Sequence, residues 1–264
     1  MNPDGSNMTD VTEDSYCPAY SPDWPPLSTT DDVTEPIITN APTQSLVKFS
    51  TLTPTTVRVK IGWLGTDNVS GVRYELEQST NGGPYSSVAL SSPSAISILR
   101  FLTPGNTYQY RVRAQDTAGN WSAWKEGEAF KVNVLQGTNS AITYAGSWAT
   151  QNFAEALGGA VRYASTSGSS AKINISNALS IGWVSARGPD RGKADLYPDG
   201  IHRTSYGSPD LYLPTTEWRK VAFAKNGMNP SVPHTLELKV LGQKRDASSG
   251  TRIDLDAFVV LSRP

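Results

Sequence analysis

From Leu46 onward apolar and polar residues alternate with a period of two. "VRVKIGW" places Val57, Val59, Ile61 and Trp63 on one face, and "VRYELEQ" does the same with Val72, Tyr74 and Leu76. "TNGGPY" (80–85) is a turn signal between strands. In "TYQYRVRAQ", Tyr108, Tyr110, Val112 and Ala114 alternate with Gln109, Arg111 and Arg113. Short strands at this spacing predict a β-sandwich over residues 46–134. A connector, "NVLQGTNSA", leads to a second β region over 139–264. There Ile173 and Ile175 point one way, and Lys172 and Asn174 the other. "LSIGWVS", "GKADLYP", "WRKVAFA", "HTLELKV" and "TRIDLDAFVVL" follow with Gly, Pro or Asn between them. Only "QNFAEALGG" suggests a turn of helix. The expected fold is all-β: two tandem sandwiches, the second of jelly-roll type.

Residues 1–45 follow neither period. They carry eight acids, no Lys or Arg, and seven Pro. One reading is a disordered acidic linker. The other is an extended arm: Tyr16, Tyr20 and Trp24 are interleaved with Pro18, Pro22, Pro25 and Pro26, and Pro lowers the entropy cost of lying on a partner. The net charge of −1 therefore leaves the rest of the chain at +7, spread too thinly to predict nucleic-acid binding. The apolar runs fall far short of the roughly 20 residues of a membrane span, so no membrane insertion is expected. Cys17 is the single cysteine and offers no intramolecular disulfide. The first residues lack the basic start and apolar stretch of a secretory leader.

Trp63 and the run Leu102-x-Pro104-Gly105-x-x-Tyr108-x-Tyr110-x-Val112-x-Ala114 resemble the fibronectin type III pattern over about residues 46–134. The resemblance implies that Tyr108 forms a corner tying its strand to the preceding loop. "DTAGNWS" lacks the Arg-Gly-Asp of adhesive members. Further on come Tyr144-x-Gly146-x-Trp148, Gly158-Gly159-x-Val161-x-Tyr163, Trp183-Val184, Gly188-Pro-x-Arg-Gly-Lys-Ala194, Tyr197-x-Asp199-Gly200 and Gly250-Thr-Arg-x-Asp-x-Asp-Ala-Phe-Val-Val-Leu261. This series resembles the galactose-binding-like, carbohydrate-binding-module-like sandwiches that end bacterial, especially actinobacterial, surface proteins.

The stretch "ARGPDRGKADLYPDG" (186–200) imitates a phosphate loop without being one. Only three residues separate Gly188 from Gly192, and Ala194 stands where a magnesium-binding Ser or Thr is needed. Two readings remain: a solvent-exposed turn or hairpin joining "IGWVS" to "KADLY", or a ligand-contacting loop in which Arg187, Asp190, Arg191 and Lys193 meet hydroxyls or carboxylates. Trp218 is a candidate for stacking on sugar rings, as are Trp121, Trp124 and Trp183, although sandwich tryptophans are commonly core residues. Asp254 and Asp256, roughly 7 Å apart on one strand face, suit a glycosidase pair, two ligands of a calcium ion, or acceptors for Arg191 or Arg252 that pin the last strand. His202 and His234 are not in metal spacing. No cofactor, no metal and no catalytic residue is expected.

The sequence thus predicts a non-enzymatic binding or display protein. Its expected setting is a bacteriophage virion, as a minor tail or capsid decoration protein. There the arm would attach to other subunits and the sandwiches would meet host surface glycans. The competing expectation is a secreted actinobacterial surface protein or the carbohydrate-binding end of a larger extracellular protein.

Overall fold

The computed structural model describes residues 32–69, 71–202 and 207–264. The arm residues Tyr16, Tyr20 and Trp24 and the thiol of Cys17 lie outside them. Residues 34–264 form one compact unit.

The first half supplies β1 (Ile37–Leu46), β2 (Val57–Thr66), β3 (Arg73–Thr80), β4 (Ser86–Val88), β5 (Ser97–Leu102), β6 (Thr107–Gln115), β7 (Lys125–Glu126) and β8 (Phe130–Gln136). The period-two pattern is realised directly: Val57, Val59, Ile61 and Trp63 are buried on one face of β2, as are Tyr108, Tyr110, Val112 and Ala114 of β6. The Tyr108 hydroxyl donates to the Thr103 carbonyl (3.2 Å) and accepts from its N–H (2.9 Å). This closes the corner. Asn81 and Gly82 both take positive φ (53° and 71°), the twist that lets a tight turn join β3 to β4. β1 begins at Ile37, inside the segment read from sequence as arm, because Ile38 is buried and pairs with Gly65.

The second half supplies β9 (Ile142–Ala145), β10 (Ala149–Asn152), β11 (Ala160–Ala164), β12 (Ser170–Ile175), β13 (Ala178–Arg187), β14 (Ala194–Pro198), β15 (Glu217–Asn226), β16 (His234–Val240), β17 (Ile253–Leu255) and β18 (Ala257–Ser262). The stretch expected to make a turn of helix contributes one 3-10 turn, Leu157–Gly159.

Three smaller sheets, β1-β2-β5, β10-β11-β17 and β14-β16-β12-β9, accompany an eight-stranded sheet ordered β15-β13-β18-β8-β6-β3-β4, with β7 on β6. This large sheet crosses from one half of the chain to the other. β8 pairs with β18 along its length, and with β6 only at Tyr108–Phe130 and Thr107–Lys131. Its two faces serve different cores. Ala257, Val259 and Leu261 join the core of the first half, while Phe258 and Val260 join that of the second. The backbone adds to the union: Phe49 N–H donates to Val221 (2.8 Å), Leu52 N–H to Arg219 (2.9 Å), and Val221 N–H to Ser50 (2.9 Å).

Candidate functional site

The loop after β13 is not the exposed hairpin the sequence suggests. β13 pairs with β15 and β18, whereas β14 pairs with β16 in another sheet, so residues 188–193 cross between sheets. Gly188, Arg191 and Gly192 are buried. The Ser248 hydroxyl reaches the carbonyls of Pro189 (3.1 Å) and Arg191 (2.8 Å), and Gly192 N–H donates to Arg252 (3.0 Å). A side chain at Gly192 would place its Cβ 2.6 Å from the Thr251 carbonyl oxygen and 2.8 Å from that of Gln243.

The residues proposed from sequence to face a ligand there are largely occupied. Arg191 donates to Asp190 and forms an ion pair, at 2.6 Å, with the fully buried Asp254. Arg187 donates to the Tyr212 carbonyl (3.3 Å) and lies over the Phe49 ring (5.2 Å). At Lys193 the backbone alone is engaged among the described residues, its N–H donating to the Gln243 carbonyl (2.9 Å), and the side chain is half-buried. Asp190 keeps a half-exposed side chain.

Asp254 takes a second cation, Arg252, at 2.7 Å. Its own carbonyl accepts from the Trp183 indole N–H (3.0 Å) and the Ser185 hydroxyl (2.8 Å). Trp183 is thereby a core residue. Asp256 stands where the chain leaves the β10-β11-β17 sheet and enters the eight-stranded one. Its carboxylate accepts from Leu157 N–H at 2.9 Å. Burial pushes its pKa up to about 7; the Leu157 bond and Arg219 oppose the rise and the Asp254 charge adds to it. The two aspartates thus have separate partners.

Arg252 connects this buried pair to the surface. Its guanidinium lies 3.9 Å from the Tyr163 ring centroid and 5.6 Å from that of Phe153, and donates to Gln151 Oε1 at 2.5 Å. Phe153 meets Trp218 with ring centroids 4.6 Å apart. Both rings are half-buried and Gln151 is exposed. The loop carrying Phe153 is fixed at two points: Arg219 donates to the Glu155 carbonyl (2.6 Å), and Asp256 holds Leu157. Arg219 reaches that position from a left-handed backbone (φ 54°), strained for a residue with a side chain. The outcome is a pre-positioned aromatic platform edged by an amide and a guanidinium. Trp218 was legible from the sequence. Phe153, Gln151 and Tyr163 were not, because they meet Arg252 only across the fold.

The remaining candidates lie elsewhere. Trp121 and Trp124 stack with Arg113 (4.2 and 4.7 Å) on the outer face of the first half. His202 Nε2 is 3.3 Å from Asp195, which also bonds Ser208. His234 is buried between Asp199 (3.0 Å) and the Asn229 carbonyl (2.8 Å). Burial works against Asp199 ionising, but the Thr235 N–H and His234 outweigh it and hold the carboxyl below its usual range.

No family model matches the chain, and no curated protein matches it. Solved structures to which the chain is similar include carbohydrate-active proteins. A two-domain esterase active on acetylated mannans, co-crystallised with mannopentaose, is 14% identical over 50% of this chain and 37% of its own, with a TM-score of 0.37. A Paenibacillus xanthan lyase is 13% identical over 81% of this chain and 26% of its own, with a TM-score of 0.40. The catalytic domain of a GH87 α-1,3-glucanase in complex with nigerose is 13% identical over 50% and 28%, with a TM-score of 0.33. The chain spans about a quarter to two fifths of the length of these proteins. The expectation of a protein that is not an enzyme is corrected by this comparison, whose matches are an esterase, a lyase and a glucanase catalytic domain.

Proposed function

We propose that residues 34–264 bind glycans through the platform of Phe153 and Trp218, with the exposed Gln151 amide, held by Arg252, meeting sugar hydroxyls at its edge. The observation that carries this reading is the half-exposed aromatic pair at 4.6 Å beside an arginine that is already oriented by a buried carboxylate. Aromatic faces accept the apolar side of a sugar ring, and a fixed polar rim supplies direction. In the same reading the two halves are a fibronectin type III module, supported by the Tyr108 corner, and a galactose-binding-like module.

A glycan array of neutral oligosaccharides, followed by calorimetry on the hits, tests it. Dissociation constants of about 10⁻⁴ to 10⁻³ M are expected. Trp218→Ala should abolish binding at unchanged melting temperature. An array without hits, or hits indifferent to Trp218→Ala, overturns the proposal.

The setting we propose is a virion, with the acidic segment carrying Tyr16, Tyr20 and Trp24 as the attachment to other subunits. Its support is that segment's composition, eight acids without a base among interleaved aromatics and prolines. A secreted or cell-surface protein is the alternative. Proteomics of purified particles against the secreted fraction of the same culture separates them: recovery in the secreted fraction alone overturns the virion setting.

A further inference from the structure

Where the eight-stranded sheet passes between the two cores, part of one face carries polar residues. Lys131 and Asn133 of β8 lie there, opposite Ser262 and Val260 of β18. Pro104 and Gly105 of the first half, with Asn174 and Ile175 at the end of β12 and the following Ser176, complete a cavity of about 630 Å³. That volume falls within the roughly 300–1,000 Å³ of small-ligand sites, which gather at junctions of this kind. None of the aromatic-platform residues lines it.

The lining has a definite chemistry. Lys131 is its one charged side chain, no carboxylate lines the cavity, and Lys131 makes no ion pair among the described residues. The Asn133 amide N–H donates to the Ser262 hydroxyl at 3.1 Å, which leaves the Asn133 side-chain carbonyl to accept from a ligand. The Asn139 side-chain oxygen accepts from Ala141 N–H at 2.9 Å, which leaves its side-chain amide N–H groups to donate. Val134, Leu135, Ile175 and Val260 give an apolar floor. A cation without a counter-charge, set among complementary amide donors and acceptors over an apolar base, matches a ligand with one carboxylate, several hydroxyls and a C–H face. We propose that the junction cavity binds a uronic-acid residue of an acidic polysaccharide, with the carboxylate on Lys131 and ring hydroxyls on Asn133 and Asn139. Charge-assisted hydrogen bonds are the stronger kind, so Lys131 sets the preference for acid over neutral sugar.

The test uses the full chain, titrated by calorimetry with trimers of galacturonate and of glucuronate, a galactose trimer, and sodium acetate. Expected are binding of a uronate trimer, affinity for the galactose trimer lower by about tenfold or more, and no response to acetate. Lys131→Met, which keeps the apolar stem, should weaken uronate binding by about tenfold or more. Lys131→Arg should retain it. Binding of neither uronate, equal affinity for the galactose trimer, acetate binding as tightly as uronate, or a folded Lys131→Met variant that binds as wild type would each overturn the proposal. Loss of neutral-glycan binding in Trp218→Ala reports on the platform alone, so the two readings fail separately.

Discussion

Asp254 lies between two guanidiniums, whereas Asp256, two residues further, makes no ion pair among the described residues. Their responses to substitution should differ accordingly. Asp254→Asn leaves Arg252 without its carboxylate and Arg191 with Asp190 alone, and breaking such a buried pair typically costs about 3–5 kcal/mol. A urea titration should show that loss as a lower midpoint with an unchanged slope. Asp256 is a matter of pH. Near pH 4 and below, folded and unfolded chains both carry its proton. Between about 4 and about 7 only the folded chain holds it, so stability contributed by this group falls as pH rises through that window and then levels. Asp256→Asn cannot ionise. Its melting temperature relative to wild type should therefore climb between pH 5 and pH 8; a constant difference would mean that Asp256 titrates normally.

The strands were readable because one-sided burial leaves a period of two, as in β2 and β6. β13 and β18 carry another signal. Their near-continuous apolar runs, "ALSIGWVSA" and "AFVVL", reflect burial on both faces, each face in a different core. The crossing loop at 188–193 carries no local mark of its burial. It is enclosed by Ser248, Thr251 and Gln243, more than fifty positions away. Phe153 and Gln151 leave no local signal for the same reason: a platform assembled from separate strands has no spacing to read. Gly192→Ala tests the loop. Its Cβ would meet two backbone oxygens that cannot swing aside, at an expected cost of about 1–3 kcal/mol. Thermal unfolding measures it, and a neutral effect would mean that the loop yields freely.

Two sandwiches joined by a connector would unfold separately, but these share a sheet and a core. Leu157, Leu179 and Val221 of the second half are buried among Leu52, Val57 and Leu102 of the first. The arm boundary shifts in consequence. Cutting away residues 1–40 removes Ile37–Asn40 from β1 and exposes the partners of Ile38, whose burial is worth about 1.5–3 kcal/mol. At about 2–4 °C per kcal/mol for a unit of this size, the melting temperature should fall by several degrees relative to a cut at residue 33. Equal melting of the two truncations would show that the start of β1 is dispensable.

The position of β18 has a mechanical side. It runs antiparallel between β13 and β8, hydrogen-bonded along both edges. A pull on Pro264 along the strand axis cannot peel this strand away one bond at a time. It must slide past two neighbours together, breaking both ladders in shear while withdrawing Phe258 and Leu261 from opposite cores. Tension entering at that end is thus spread across the sheet into both halves, and the strand acts as a rivet through the junction.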